Sequence, residues 1–303
     1  MKRNTLLRLL VFFLGIPLLA LAALAFPRHG LPVYGVIVIV ASAIAAYEAA
    51  FFFPPLVRDY PGRQIVIPVL GAILPVVGYL SSHLAGSLLA DRLGSLRIVS
   101  LLLLLIAVTV TICMIMAVQV LKRRETEIFQ IINVVSAHIF ILIYPGLFAW
   151  HAVMLATLPN PSVVVIVFIL AVYLNDSMAW LVGRLIGPLT TRKDAPPPVA
   201  VSPNKSVAGF VGGFLASPIV LVAAATLYPD VWSGSPLRHL LFGGIIGIVS
   251  ILGDLVESAF KRAATVKDSG QIIPGRGGLL DSIDSPLFTA PFFYYSAVLI
   301  YGM

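Results

Sequence analysis

Acidic and basic side chains recur at helical spacing near the end of one long apolar segment. Four polar residues stand at positions i, i+3, i+4 and i+7 and would share one helix face: Asp254, Glu257, Ser258 and Lys261. Asp281 and Asp284, three residues apart, directly precede the final apolar segment. Proteins commonly hold Mg²⁺ with one or two carboxylates together with substrate phosphates. The sequence therefore predicts a metal site with these ligands: Asp254, Glu257, Asp281 and Asp284.

Positive charge and glycine surround these carboxylates. Four cations are available to the phosphates of a substrate: Lys205, Lys261, Arg262 and Lys267. Glycines within 209–213 and 275–278 would let backbone amides approach phosphate oxygens closely. An ordinary polar loop with positively charged lysines on the cytoplasmic side would explain any one of these residues alone. Such a loop would not explain the crowding of carboxylates, cations and glycines into two loops and the adjoining helix ends, so we predict a site for an anionic substrate.

Several other chemistries lack their motifs in this chain. The sequence contains no Gly-x-x-x-x-Gly-Lys-Ser/Thr loop, no Cys or His pair with metal-ligand spacing and no Gly-x-Ser-x-Gly elbow. These absences argue against a P-loop nucleotide site, a zinc site and a Ser/His/Asp hydrolase.

The elements that must position these residues are membrane-spanning helices. Of 303 residues, 59% are hydrophobic and only 11% are charged, whereas a soluble domain has about 25% charged residues. Many separate apolar runs approach the length of about 20 residues that crosses a bilayer. We predict an all-α polytopic bundle of about nine spans, near 5–26, 33–53, 65–90, 97–121, 128–157, 162–183, 208–228, 237–260 and 285–302. The basic N-terminus and first run are interpreted as a span rather than a cleaved signal peptide.

The distribution of Lys and Arg predicts the orientation of these spans. With the N-terminus in the cytoplasm, sixteen basic residues fall on the inner side and four on the outer side: Arg28, Arg92, Arg97 and Arg238. This favours a cytoplasmic N-terminus and an external C-terminus, with the polar loops 184–207 and 261–284 on the cytoplasmic side. The net charge of +7 is thus a topology signal, and we expect no nucleic-acid partner.

The chemistry is concentrated in the second half of the chain. We therefore predict N-terminal helices over 1–160 that serve as a scaffold or give lipid access, and a catalytic region over 161–303. In the first half, Glu48 is interpreted as a structural partner of an internal arginine. The third and fifth predicted spans contain Pro and Gly, and we expect them to be tilted, kinked or broken.

The polar segments of the second half resemble a known family. The run Ser258-x-x-Lys261-Arg262-x-x-x-x-Lys267-Asp268, followed by Pro274-Gly275-x-Gly277-Gly278-x-x-Asp281-x-x-Asp284-Ser285, resembles the signature of phosphatidate cytidylyltransferases, the CDP-diacylglycerol synthases. Asn175-Asp176-Ser177 with Gly183-Arg184, and Ser202-Pro203-Asn204-Lys205-Ser206, also match the family. The resemblance covers about residues 172–290. This chain departs from it with Arg276 in place of the usual His and Ser282 in place of the usual Arg.

The resemblance implies transfer of the cytidylyl group of CTP to phosphatidate at the cytoplasmic side of the plasma membrane. It implies catalytic roles for Lys261, Asp281 and Asp254. It also implies substrate binding by the following residues: Ser258, Arg262, Lys267, Ser202, Lys205, Arg184, Asn175, Asp176 and Arg276. Mg²⁺ is the expected cofactor, with K⁺ as a candidate second cation, and a homodimer is a candidate assembly in the bilayer.

Two other interpretations share part of this logic. A different CTP-dependent lipid enzyme, of the CDP-archaeol synthase or polyprenol kinase type, would need the same cations and carboxylates. An ion-coupled transporter would also place polar residues at broken helices. The polar cluster has no counterpart in the first half of the chain, which disfavours the transporter.

Overall fold

The structure is a computed structural model that describes residues 31–60, 62–88, 96–122, 125–190, 196–273, 275 and 277–303, together with Leu21 and Leu24. Within these residues the only β-contact is an isolated bridge between Ile273 and Gly277. The long helices are α1 (Pro32–Ala49), α2 (Arg63–Leu88), α3 (Leu96–Gln119), α4 (Ile131–Ile141), α5 (Phe148–Met154), α6 (Pro161–Leu185), α7 (Val207–Leu227), α8 (Pro236–Ala263) and α9 (Leu280–Tyr301). Single-turn helices lie at Pro55–Arg58, Glu125–Ile128 and Gly187–Thr190.

Local sequence explains where these helices begin. Proline occupies the first turn of α1, α6 and α8, where its missing N–H has no intrahelical partner to lose. The hydroxyl of Ser206 accepts the N–H of Gly209 at 3.1 Å, and Ser235 likewise accepts the N–H of Arg238. These two serine caps fix the starts of α7 and α8.

The helices confirm the predicted all-α membrane bundle. Seven segments of the described chain are long and apolar enough to cross a bilayer: Pro32–Phe52, Arg63–His83, Arg97–Gln119, Ile131–Thr157, Pro161–Leu185, Val207–Leu227 and Pro236–Ala263. The predicted span 5–26 lies outside the described residues apart from Leu21 and Leu24. The predicted span 285–302 is helical within α9, but α9 is not among the seven. The count of nine spans and their orientation remain predictions.

The two long spans with Pro and Gly differ from each other. The third predicted span is continuous helix through Pro68 and Pro75. The fifth is interrupted by a wider π-helical turn at Leu142–Leu147, which contains Pro145. The hydroxyl of Ser42 lies 2.7 Å from the Gly71 carbonyl and 2.8 Å from the Pro145 carbonyl, so it connects α1 to both proline-containing spans. A carbonyl freed by a proline thereby regains a partner inside the bundle.

Helix packing gathers the polar segments at one end of the molecule. The helices α1, α2 and α3 pack in sequence, while α6 packs against α7, α8 and α9, and α5 joins the two groups by contacting α2 and α9. Fully buried aromatic side chains fill the centre: Trp150, Trp232, Phe242 and Phe293. Because α6 to α9 alternate in direction, the C-terminal ends of α6 and α8 meet the N-terminal ends of α7 and α9.

Candidate active site

Glycines let two of the site-bearing helices approach closely. A Cβ atom on Gly213 would lie 2.9 Å from Asn175 Oδ1 and 3.0 Å from the Ala179 side chain. A Cβ atom on Gly209 would lie 2.8 Å from the Ala179 carbonyl oxygen. The backbone of α7 therefore lies directly on α6, and this contact places the start of α7 beside the polar end of α6.

A cavity of about 530 Å³ opens where these helix ends meet. Four carboxylates line it, contributed by α6, α8 and α9: Asp176, Asp254, Asp281 and Asp284. Lys205 and Arg184 line the same cavity. The structure thus brings together seven of the residues predicted from sequence: Asn175, Asp176, Arg184, Lys205, Asp254, Asp281 and Asp284.

Lys205 forms an ion pair with Asp254 across the cavity. It lies in the turn before α7, and Asp254 lies on α8, so the pair joins two walls of the site. Burial lowers the pKa of Lys205, and the negative charges of Asp176 and Asp284 oppose that shift. An additional anion in the cavity would favour the charged ammonium further.

Lys261 lies between two carboxylates beneath the cavity. Its Nζ donates to Glu257 Oε2 at 2.5 Å and to Asp281 Oδ1 at 2.6 Å. Glu257 is completely buried, and among the described residues its second oxygen, Oε1, has no hydrogen-bond partner. A buried acceptor of this kind is costly unless something satisfies it. Glu257 and Lys261 do not line the cavity. Lys261 instead holds Asp281 in position through its hydrogen bond, and Glu257 accepts a second hydrogen bond from the same lysine.

Asp281 accepts several hydrogen bonds from the loop that precedes α9. Its Oδ2 accepts the N–H of Ser269 at 2.9 Å, the hydroxyl of Ser269 at 2.9 Å and the N–H of Gly278 at 2.7 Å. Gly277 has φ 107°, a conformation that favours glycine, and so turns the chain toward α9. Asp281 thus orders the loop that precedes its own helix.

Glu48, on α1, completes this arrangement from the first half of the chain. It is 3% exposed and accepts the N–H of Leu279 at 3.0 Å and the N–H of Leu280 at 2.7 Å, with the Ser269 hydroxyl at 3.4 Å. Within the described residues its hydrogen-bond partners are therefore backbone amides and a serine. The predicted pairing with an internal arginine stays a prediction, since several arginines, Arg276 among them, lie outside the described residues. The carboxylate accepts hydrogen bonds from N–H groups at the start of α9 that have no partner within the helix, and its negative charge is favourable at that helix end. An isolated acid in an apolar run was the only sequence signal for this role.

The other predicted residues either take part in helix packing or lie away from the main cavity. Asn175 lines it but is completely buried, and its amide donates to Ser217 Oγ at 3.2 Å and to the Gly247 carbonyl at 3.1 Å. That amide therefore links α6 to α7 and α8. Lys267 lines a second cavity of about 490 Å³. Three further predicted residues do not line the main cavity, namely Ser202, Ser258 and Arg262, and Arg276 lies outside the described residues.

The donor set of the main cavity fits the chemistry of Mg²⁺. Carboxylate oxygens are the ligands that Mg²⁺ prefers, and four Asp side chains line one cavity. Over the described part of the chain, no three His, Cys, Asp or Glu residues are already arranged as a metal cluster. Lys205 and Lys261 instead pair with Asp254 and Asp281. The assignment of Mg²⁺ to these carboxylates therefore stays a prediction.

Comparison with known proteins places the chain in a family. The sequence profile described as the Cytidylyltransferase family matches residues 6–300. The chain is 40% identical over 150 residues to the uncharacterized protein YnbB of Escherichia coli, covering 48% of this chain and 47% of the relative. It is 42% identical over 142 residues to the phosphatidate cytidylyltransferase of Synechocystis, covering 47% and 45%.

A third relative gives the same result. The phosphatidate cytidylyltransferase of Bacillus subtilis is 42% identical over 127 residues, covering 41% of this chain and 43% of the relative. The chain thus spans less than half the length of each of these three relatives. The family profile nevertheless extends over almost all of the chain, and the protein belongs to the cytidylyltransferase family.

Proposed function

We propose that the protein transfers the cytidylyl group of CTP to phosphatidate and releases pyrophosphate, giving CDP-diacylglycerol. The observation that carries this proposal is the cavity in which four aspartates, Lys205 and Arg184 meet at the end of a membrane bundle. Relatives named phosphatidate cytidylyltransferase support the choice of nucleotide and lipid. A site at a helix-bundle end suits one substrate from water and one from the bilayer.

The proposed reaction does not require a strong general base. A phosphate oxygen of phosphatidate attacks the α-phosphorus of CTP, and the bond from that phosphorus to the β-phosphate bridging oxygen breaks. The attacking oxygen is ionised near neutral pH, because the second pKa of a phosphate monoester is about 6. The obstacle is the repulsion between two polyanions. Positioning and charge neutralisation therefore dominate, which suits a cavity lined with Asp, Lys and Arg.

The residues of the cavity divide this work. Asp254, Asp281 and Asp284 would hold Mg²⁺, which when bound neutralises and aligns the reacting phosphates. Lys205 binds phosphate oxygens from the turn before α7, and Arg184 contributes positive charge at the other end of the cavity from the carboxylates. Lys261 keeps Asp281 in place through its hydrogen bond and neutralises the buried Glu257. In this proposal the cavity opens on the cytoplasmic side of the plasma membrane, as the distribution of basic residues predicts.

The proposal is tested with the full chain purified in detergent. We expect CDP-diacylglycerol to form from CTP and phosphatidate, to require Mg²⁺, and to appear in equal amount with pyrophosphate. Parallel reactions replace phosphatidate by an isoprenoid phospholipid or by a polyprenol. Faster cytidylyl transfer to the isoprenoid phospholipid would overturn the choice of lipid, and phosphorylation of the polyprenol with release of CDP would identify a kinase instead. Absence of cytidylyl transfer to any of the three acceptors would overturn the reaction itself.

A further inference from the structure

One face of α6 lines the cavity with alternating large and small side chains. The residues on this face stand at i, i+3, i+4, i+7 and i+8: Asp176, Ala179, Trp180, Gly183 and Arg184. At 1.5 Å per residue, Arg184 lies about 12 Å along the helix from Asp176, with Trp180 midway.

The two ends of this face meet different surroundings. At the first end, Asp176 accepts a 3.4 Å hydrogen bond from Ser285 on α9, which places it among the carboxylates. At the other end, a Cβ atom on Gly183 would lie 3.1 Å from Ser206 Oγ, and one on Gly187 would lie 3.0 Å from it. The turn that contains Asn204 therefore lies at the Arg184 end, and Asn204 lines the same cavity.

Trp180 is an exposed aromatic side chain in a polar cavity. It is 51% exposed, whereas the other two tryptophans of the chain, Trp150 and Trp232, are 0% and 1% exposed. The Arg184 guanidinium carbon lies 5.3 Å from the Trp180 ring centroid and restrains the ring. Tryptophans also anchor helices at membrane interfaces. An interfacial anchor would not require a polar cavity beside it, and the cavity therefore favours a ligand that stacks.

We propose that Trp180 and Asn204 form the nucleobase subsite of this cavity. The base stacks on the exposed surface of Trp180, and the Asn204 amide, which offers both a donor and an acceptor, pairs with the base edge. The triphosphate then extends along α6 toward the aspartates. This assignment rests on the proposed function for the identity of the base, cytosine, whose edge presents an amino donor beside a ring-nitrogen acceptor.

The contacts of Asn175 commit its amide nitrogen to helix packing. Asn175 is the other amide that lines the cavity, and the family resemblance implied a substrate-binding role for it. Its amide nitrogen donates to Ser217 on α7 and to the Gly247 carbonyl on α8. That nitrogen is therefore committed to helix packing, whereas Asn204 is exposed in the turn before α7.

Tryptophan fluorescence tests the subsite without turnover. CTP is titrated into the full-length protein in detergent, with no lipid acceptor present, and inorganic tripolyphosphate serves as the comparison. We expect CTP to change the emission saturably and tripolyphosphate to leave it nearly unchanged, because only the base reaches Trp180. The change should disappear in Trp180→Phe, since Trp150 and Trp232 are buried. Equal responses to both ligands, or a response that persists in Trp180→Phe, would overturn the stacking assignment.

Steady-state kinetics separate base binding from lipid anchoring. Trp180→Ala should raise the KM for CTP about tenfold, from the loss of stacking, with kcat and the KM for phosphatidate little changed. Trp180→Phe should restore most of the affinity. Leu181→Ala is the matched control, because Leu181 is exposed on the same helix but does not line the cavity. A rise in the KM for phosphatidate alone would identify an interfacial anchor instead.

Base selectivity tests Asn204 separately. Asn204→Ala should lower the preference for CTP over UTP in kcat/KM, and an unchanged preference would remove Asn204 from the subsite.

Failure of the proposed function would look different from failure of the subsite. A CTP-specific fluorescence change without CDP-diacylglycerol formation would keep the subsite and reject the reaction. Turnover without that change would keep the reaction and reject the subsite.

Discussion

Two lysines pair with the carboxylates that the sequence predicts as metal ligands. Lys205 contacts Asp254, and Lys261 contacts both Glu257 and Asp281. The two aspartates differ in their remaining contacts. Asp281 also accepts hydrogen bonds from Ser269 and Gly278, so it has a structural role in addition to any catalytic one.

This difference predicts distinct effects for two conservative substitutions. Asp281→Asn and Asp254→Asn should each lower kcat by at least about a hundredfold, because each removes a charge from the phosphate site. Asp281→Asn should also lower the melting temperature, because it weakens the loop contacts, whereas Asp254→Asn should leave it nearly unchanged. Asp230→Asn, in an exposed turn, is the control. Turnover near that of the unmodified protein in Asp254→Asn would refute its role as a ligand.

Removal of Lys261 should destabilise the fold through the charges left behind. Lys261→Met leaves the buried Glu257 and Asp281 without their cation, which costs about 3–5 kcal/mol of unfolding free energy. Adding Glu257→Gln to Lys261→Met should recover part of this stability but none of the activity. Denaturant unfolding in detergent measures both effects. A cost below about 1 kcal/mol for the single change would show that Glu257 does not depend on Lys261.

At the scale of elements, α1 positions α9 through one carboxylate. Glu48 accepts two backbone N–H groups at the start of α9, and Ser269 contacts both Glu48 and Asp281. The first half of the chain therefore helps to order the loop that precedes α9. The sequence-based division at residue 160 describes where the charges lie, but it misses this contribution.

Glu48→Gln should loosen the loop without unfolding the bundle. An amide NH₂ would replace one carboxylate oxygen and face backbone N–H groups, so at least one hydrogen bond is lost. Hydrogen bonds to charged groups contribute about 1.5–3 kcal/mol, and tryptic cleavage after Lys267 should accelerate tenfold or more, with kcat reduced. Glu125→Gln, at an exposed position, is the matched control. Cleavage at the rate of the unmodified protein would contradict the contact.

Two glycines of the bundle provide a matched test of helix packing. Gly213→Ala should cost about 1–3 kcal/mol of stability, because its Cβ would press on Asn175 and Ala179 and separate α7 from α6. Gly244→Ala should be neutral or slightly stabilising, since its Cβ would meet only the Phe214 ring at 3.8 Å. Thermal unfolding of both variants measures the difference. Equal stability would show that α6 and α7 tolerate a wider spacing.

For the whole molecule, apolar run length predicted most of the architecture. Eight of the nine predicted spans coincide with helical segments, because a bilayer core sets the length of an apolar helix. The spacing of carboxylates and cations predicted four residues of the cavity, and the family resemblance implied three more, namely Asn175, Asp176 and Arg184. Long-range partners could not be predicted, since nothing near Glu48 in sequence indicates Leu279 or Leu280. The commitment of the Asn175 amide to helix packing was hidden for the same reason.

The predicted orientation is testable across the membrane. In a Cys113→Ala background, Asp230→Cys should react with an impermeant maleimide in intact cells. Gln271→Cys should react only after permeabilisation, because the loop 261–284 is predicted to be cytoplasmic. Both positions are exposed, so burial does not explain a difference between them. The reverse pattern would invert the predicted topology.

The contact between Glu48 and Leu279 also constrains synthesis of the protein. The two residues are 231 positions apart in sequence. At 5–20 residues per second, a ribosome makes Glu48 roughly ten to fifty seconds before its partner amides. During that interval a growing chain holds a carboxylate in an apolar helix without its final hydrogen bonds. The hydrogen bonds of α1 are therefore incomplete until α9 has been synthesised. A chain that stalls before α9 should be a substrate for membrane quality control.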